Sequence, residues 1–299
     1  MWKTILLLLL TIIVLPLLAI SFDDPLNPFQ KEILNELIVV YLIASLGCFI
    51  LSTISKNYSQ VDKLWSLMPI AYIWIIAIRS GFEPRIVLMA LLVSAWGIRL
   101  TYNFARRGGY SIRFWSGEED YRWSVLRNKP ELSNRWRWMI FNLFFISLYQ
   151  MGLILLITLP ALRSINGSAL SYFDYTIAIL MFLLIIFETV ADQQQWNFHK
   201  EKNRLKKEGS GLPDYYKKGF IDNGLWGLSR HPNYTAEQGV WIVFYLFSIS
   251  ATGSWLNWSI IGPVLLILLF LGSSNFSESI STQKYPGYSE YKKRVRRFI

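Results

Sequence analysis

The sequence predicts an all-α protein: a polytopic membrane helical bundle of about eight transmembrane helices with both termini cytoplasmic. Three observations carry this expectation. Hydrophobic residues make up 53% of 299 positions, while charged residues make up 17%. The apolar residues gather into eight long runs, each reaching or approaching the roughly 20 residues that cross a bilayer. The basic residues then alternate with those runs in one sense, which is what orients a membrane chain.

In chain order the runs cover residues 5–20, 33–54, 64–78, 86–100, 139–162, 173–190, 235–251 and 255–271. The first has the flanks of a secretory signal, with Lys3 ahead and Ala19-Ile20-Ser21 behind. Its apolar core is long for a signal, so it reads as a retained helix. With the N-terminus inside and eight spans, only Lys31, Arg79, Arg85 and Arg163 of the 30 Lys and Arg fall outside. Residues 103–137 and 197–232 become the two large cytoplasmic connections. Neither is low-complexity, and each is too short for a separate globular domain. No linker divides the chain, which reads as one helical membrane domain.

The net charge of +10 invites a nucleic-acid reading. The basic residues flank spans, however, where they set topology and meet anionic lipid, so no nucleic-acid partner is expected. Cys48 is the single cysteine, and His199 and His231 are the two histidines. An internal disulfide is excluded and no metal site is expected. Without a Gly-x-Gly-x-x-Gly or phosphate-loop motif, any nucleotide site differs from the soluble Rossmann kind. An endoplasmic reticulum membrane and a bacterial inner membrane fit this topology equally.

The densest chemistry lies in Gly224-Leu225-Trp226-Gly227-Leu228-Ser229-Arg230-His231-Pro232-Asn233-Tyr234, with Glu237 three residues on. Polar groups beside a bilayer are costly unless they bind or react. Pro232 suits the first position of a helix, with His231 at or beside its N-cap. Asn233 and Glu237 share one face, and Tyr234 neighbours Glu237. Free backbone N–H groups there, with Arg230 beside them, favour an anion. A phosphate-bearing cofactor fits; so does a capped helix whose Arg meets lipid phosphate.

Glu188, Asp192, Gln195 and His199 follow spacings of 4, 3 and 4 and share a helix face. They form either an interhelical ion pair or one wall of a cofactor pocket against the Arg230 helix. Asp62 stands at the cytoplasmic start of a span, as a helix cap or as a contributor to chemistry. Gly117-Glu118-Glu119-Asp120-Tyr121-Arg122-Trp123 and the basic, Tyr-rich tail over 284–293 read as interfacial segments.

Together these motifs carry a resemblance. Trp226-Gly227-x-Ser229-Arg230-His231-Pro232-Asn233-Tyr234-x-x-Glu237 resembles the signature of the steroid 5-alpha-reductase-like membrane superfamily, and within it the DUF1295 group. Val61-Asp62-x-x-Trp65, Trp96-Gly97-x-Arg99-Leu100, Glu119-Asp120-x-Arg122, Glu188-x-x-x-Asp192 and Tyr285-Pro286-x-Tyr288-x-x-Tyr291 match the same group in order. The resemblance covers 61–299, and it takes 56–299 as its membrane domain after N-terminal transmembrane helices over residues 1–55. It implies a membrane oxidoreductase that uses NADPH to reduce a carbon–carbon double bond in a sterol or other lipid drawn from the bilayer. Asn233 then holds the nicotinamide, Arg230, His231 and Asp192 hold ribose and phosphate, and Glu188, Trp226 and Tyr288 complete the pocket. Tyr234 or Glu237 polarises or protonates substrate, with Asp62 contributing from the N-terminal half.

The chain departs from the reductases over 271–279, where their Arg and His cluster is replaced by a stretch without a basic residue; Lys284 and Lys292 are the substitutes at hand. Ala236 also stands where a glycine commonly precedes the motif's Glu. Two alternatives stay open. One is an S-adenosylmethionine-dependent methyltransferase of the isoprenylcysteine carboxyl type, whose members share a His-Pro-x-Tyr helix start. The other is a non-catalytic lipid-binding membrane protein. The lipid itself and the oligomeric state are left open.

Overall fold

A computed structural model describes residues 7–8, 10–209 and 211–299. Among its described residues the regular elements are all helices, with one isolated parallel bridge between Ser229 and Arg296. In order the helices are α1 (Leu10–Ser21), α2 (Pro28–Ser55), α3 (Gln60–Arg79), α4 (Pro84–Ala105), α5 (Tyr121–Arg127), α6 (Arg135–Arg163) and α7 (Tyr172–Lys207). Then follow the short α8 (Asp214–Lys217) and α9 (Leu225–Leu228), α10 (Pro232–Thr252), α11 (Ile261–Lys284) and α12 (Tyr288–Arg294).

Among the described residues six segments are long and apolar enough to cross a membrane: α2, α3, α4, α6, α7, and Trp258–Lys284, which contains α11. Two of the eight expected spans fall short of that. The first run begins at residues outside the described set, as does Lys3, and α1 is a shorter apolar helix. α10 has the length, but Asn233, Tyr234, Thr235, Glu237 and Gln238 make its first two turns polar.

Local rules account for the helix starts. α2 opens with a capping box: Gln30 N donates to Asn27 Oδ1 at 2.8 Å and Asn27 N to Gln30 Oε1 at 3.2 Å, with Pro28 at the first position. α6 contains a π-helical stretch, Asn142–Tyr149, ahead of an α-helical part whose residues 150–162 are all buried.

The chain divides into two compact units, one of residues 1–179 with 242–266 and the other of 180–241 with 267–299. It changes unit inside α7, α10 and α11, so the division follows no linker.

In the first unit α3 and α4 form a close hairpin. A Cβ on Gly97 would sit 2.6 Å from the Ser66 carbonyl oxygen and 2.7 Å from Ile70 Cδ1. Small residues of this kind let membrane helices approach to backbone contact. The Ser66 and Thr101 hydroxyls close the same interface at 2.7 Å. Gly97→Ala is expected to cost about 1–3 kcal/mol through overpacking. A drop in Tm in detergent checks it, and an unchanged Tm would show that the hairpin has slack.

Arg85, on the minority side of the charge pattern, has a buried partner. Its Nε lies 2.7 Å from Asp174 Oδ1 and its Nη2 3.1 Å from Oδ2; the residues are 4% and 0% exposed. The remaining donors reach the carbonyls of Ser168 and Ala169 at 2.7 and 3.0 Å. Asp174 also accepts from Ser171 N at 2.8 Å and Oγ at 2.9 Å.

The second unit holds two small apolar clusters. Phe198, Ile221 and Trp226 form one, with Tyr215 and Tyr216 against it. Tyr288, Tyr291 and Val295 form the other, flanked by Phe220 and Tyr285.

Candidate functional site

α10 begins at Pro232, the expected first position. The segment before it is shaped by Gly224, whose φ of 58° is a left-handed conformation that glycine adopts without strain. A Cβ there would also meet Gln194 Oε1 at 2.7 Å. That oxygen instead accepts from Leu225 N at 3.0 Å, fixing the turn into α9 against α7.

Ser229, Arg230 and His231 are then bound edge-on by the residues after α12. Arg230 N donates to Arg296 O at 2.8 Å, His231 N to Arg297 O at 3.2 Å, and Ser229 Oγ to Arg297 O at 2.9 Å. The unit's charged centre is Glu278 on α11, 1% exposed. Its Oε1 lies 2.8 Å from Arg230 Nε and 3.0 Å from His231 Nε2, and its Oε2 3.3 Å from Arg230 Nη2. Arg230 Nη1 donates to the carbonyls of Lys292, at 3.1 Å, and Val295. Lys292 Nζ and Arg297 Nε approach the same carboxylate at 3.5 and 3.7 Å, with side chains 37% and 31% exposed.

Arg230 and His231 are therefore held by Glu278, an acid in the very stretch where the sequence shows no basic residue. Sequence reasoning missed it. The available signal was a carboxylate near the end of an apolar helix, which needs a partner from elsewhere in the chain.

A second group of polar residues stands beside this cluster. Glu188 and Asp192 on α7 are both 4% exposed, and Asn233 Nδ2 donates to Asp192 Oδ1 at 3.3 Å. The acidic face of α7 thus meets the start of α10 through Asp192. Gln195 and His199 continue that face and are half-buried. Tyr234 is half-buried, stacked on His231 at 5.2 Å between ring centroids and edge-on to Phe270 at 4.6 Å. Among the described residues its hydroxyl makes no hydrogen bond. Glu237 is 4% exposed and accepts from Trp241 Nε1 at 3.1 Å.

Trp226 and Tyr288 pack rather than line an opening. Trp226 Nε1 donates to Ala191 O at 3.0 Å, and its own carbonyl accepts from Tyr291 Oη at 2.6 Å. Burial pushes the Tyr291 phenol up, which keeps it a donor. Tyr288 is 6% exposed within its aromatic cluster. An open groove of about 460 Å³ runs beside this region, lined by Gln194, Asn197 and Phe198 of α7 and by Tyr215, Ile221 and Asn223 among others.

Asp62 belongs to the first unit and makes its contacts there. The N-cap of α3 is Ser59, without a side-chain capping bond, so Asp62 is a first-turn residue and not the cap. Its Oδ2 accepts from Trp123 Nε1 at 2.9 Å. Nearby, Asp120 caps α5 through Arg122 N at 2.9 Å and pairs with Arg122 Nε at 2.9 Å. Burial works against the Asp120 carboxylate, but Arg122 outweighs it and holds the carboxyl below its usual range. The Glu119 carboxylate receives Tyr58 N at 2.8 Å and Arg127 at 3.3 Å. The acidic loop motif is thus a fastening of the α2–α3 turn.

Comparison with known proteins agrees with the family resemblance. The profile of a family described as "Protein of unknown function (DUF1295)" matches residues 48–295. An uncharacterized protein of Schizosaccharomyces pombe is 34% identical over 287 residues, covering 91% of this chain and 80% of that protein. No solved structure matches at a significant level. On these matches the chain belongs to the DUF1295 family, in the steroid 5-alpha-reductase-like group.

Proposed function

We propose that this protein is a membrane oxidoreductase that binds NADPH at the start of α10 and reduces a carbon–carbon double bond in a lipid. The observation that carries the reading is the Asp192–Asn233 contact beside the Tyr234 phenol. It puts an amide, a carboxylate and a hydroxyl at one helix start, next to a cationic cluster. When bound, NADPH supplies the hydride.

The residues fit that cofactor with one change of roles. Arg230 and His231 are engaged by Glu278, so they build the floor of the site and do not grip phosphate. That task passes to Lys292 and Arg297, which are longer-range and partly exposed partners of the same carboxylate. Asn233 and Asp192 orient the nicotinamide and ribose. Tyr234 supplies the proton, because Glu237 is buried and already receives the Trp241 indole. In this reading the site faces the cytoplasm, where the basic connections lie.

One observation favours a second reading, methyl transfer from S-adenosylmethionine. A methyl donor without phosphates does not need a free Arg230, and Arg230 is not free. The two separate in one experiment: titrate purified protein in detergent with NADPH and, separately, with S-adenosylmethionine. Saturable NADPH binding is expected, weakened at least about tenfold in Asn233→Ala, the cost of one or two hydrogen bonds. Binding of S-adenosylmethionine alone overturns the reductase reading in favour of methyl transfer; binding of neither leaves a non-catalytic lipid-binding protein. Arg230→Ala is a poor test, since it also strips Glu278 of its main partner.

A further inference from the structure

The connection between α4 and α5, in the first unit, buries its fastenings and displays its apolar side chains. Ser111-Ile112-Arg113-Phe114-Trp115 is exposed at every position, with Ile112 fully so and Phe114 at 60%. Singly exposed apolar side chains are ordinary, but Ile112, Phe114 and Trp115 together form a patch of the kind that meets a partner. The loop that carries them is firmly held. Lys63 Nζ, on a residue 5% exposed, donates to Phe114 O at 2.8 Å and to Ser116 O at 2.7 Å. Gln60 Nε2 donates to Trp115 O at 2.8 Å, and Asn57 Nδ2 to Gly117 O at 2.9 Å. Tyr110 Oη donates in return to Lys63 O at 2.9 Å. Glu118 N closes the neck on Gly108 O at 2.8 Å. A Cβ on Gly117 would sit 2.4 Å from Gly109 O, so the two strands of the neck touch.

The depth of this loop follows from α3. A helix of 20 residues extends about 30 Å, the thickness of the hydrocarbon core, so both its ends stand at the membrane boundary. Lys63 lies in the first turn of α3. A loop bonded to Lys63 at both its ammonium and its carbonyl therefore stands at the edge of the hydrocarbon. Backbone carbonyls there need partners within the protein, and the four from Phe114 to Gly117 each have one. The segment expected at the interface, residues 117–123, supplies fastening instead; the apolar side chains just ahead of it face outward.

The side chains suit lipid as the occupant. Arg113 sits between Ile112 and Phe114, where its stem covers apolar surface while its head reaches phosphate. Trp115 stands edge-on to Phe114 at 4.9 Å between ring centroids, and an indole suits headgroup depth. We propose that residues 111–115 are a wedge that enters the interfacial layer of the membrane this protein spans. Ile112 and Phe114 meet the acyl chains, Arg113 meets headgroup phosphates, and Lys63 is the positioning residue that holds the wedge at that depth. The proposal does not rest on the reductase reading.

A single native cysteine makes the test direct. In a Cys48→Ala background, Ile112→Cys, Phe114→Cys and Lys207→Cys each receive one nitroxide label. The full-length proteins are reconstituted into vesicles of phosphatidylcholine and phosphatidylglycerol. Power-saturation EPR then compares collisions with oxygen, which partitions into lipid, against a nickel chelate, which stays in water. Oxygen is expected to dominate at 112 and 114. The chelate is expected to dominate at 207, the end of a 36-residue helix that outruns the bilayer. Chelate dominance at 112 and 114 overturns the proposal and leaves a water-facing patch suited to a protein partner. With the label at 112, Lys63→Met is expected to shift the balance toward the chelate, and Gln60→Ala, which removes fewer ties, to shift it less. An unchanged balance in both variants overturns the role given to Lys63. The labels at 112 and 114 alone decide insertion, with Lys63 intact.

Discussion

Glu278→Ala is expected to destabilise the protein by about 3–5 kcal/mol, the cost of breaking a buried ion pair by removing one partner. The carboxylate is 1% exposed and binds Arg230 twice and His231 once, with Lys292 and Arg297 nearby. Its loss leaves the buried Arg230 guanidinium facing two further cations without a counter-charge. Thermal unfolding in detergent measures the effect. Glu278→Gln keeps an acceptor oxygen and is expected to lose less. The double variant Arg230→Ala/Glu278→Ala is expected to cost less than the sum of the two single variants, since they share one interaction. A fully additive double variant would show that the two residues act separately, and the Glu278-centred account would fall.

Breaking the Arg85–Asp174 pair is expected to be equally severe. Arg85→Ala leaves a carboxylate of 0% exposure held by the Ser171 donors without its arginine, and about 3–5 kcal/mol is again the scale. The informative companion is Arg85→Met with Asp174→Leu. Replacing a buried pair by apolar residues of similar volume is often neutral or stabilising. Most of the lost stability is therefore expected to return in the double variant, provided the Ser168 and Ala169 carbonyls find other donors. Single variants with wild-type Tm would remove the pair from any structural account.

These two pairs also mark what the sequence could and could not disclose. Helix positions were legible because they follow local rules. Pro232 starts a helix, the 188–192–195–199 spacing makes one face, and that face meets the Asn233 end of α10. Polarity at the start of α10 was legible too, although it leaves this helix less apolar than a span. Partner choice was not legible. Arg230 and Glu278 are 48 residues apart, and Arg85 and Asp174 are 89 apart. A helical pattern shows which way a side chain faces, not which distant group meets it. Hence an arginine at a helix start reads as an anion site, when its anion is a glutamate of the same chain. Trp226 and Tyr288 were singled out for their place in motifs, and the structure explains their presence through packing. Asp62 was noticed, but its tie to Trp123 spans 61 residues.

The strap that fastens Ser229, Arg230 and His231 sets an order of assembly. Their partners Val295 and Arg297 follow 65 and 68 residues later in the chain. During synthesis the signature motif therefore emerges well before anything that can hold it in shape. α11 must be delivered first with Glu278, and the residues after α12 must then return to the motif before Arg230 is neutralised and enclosed. Until that return, the motif is an open, cationic stretch at the start of α10. Completion of this centre therefore waits until residues 292–297 have been made and have folded back on the motif.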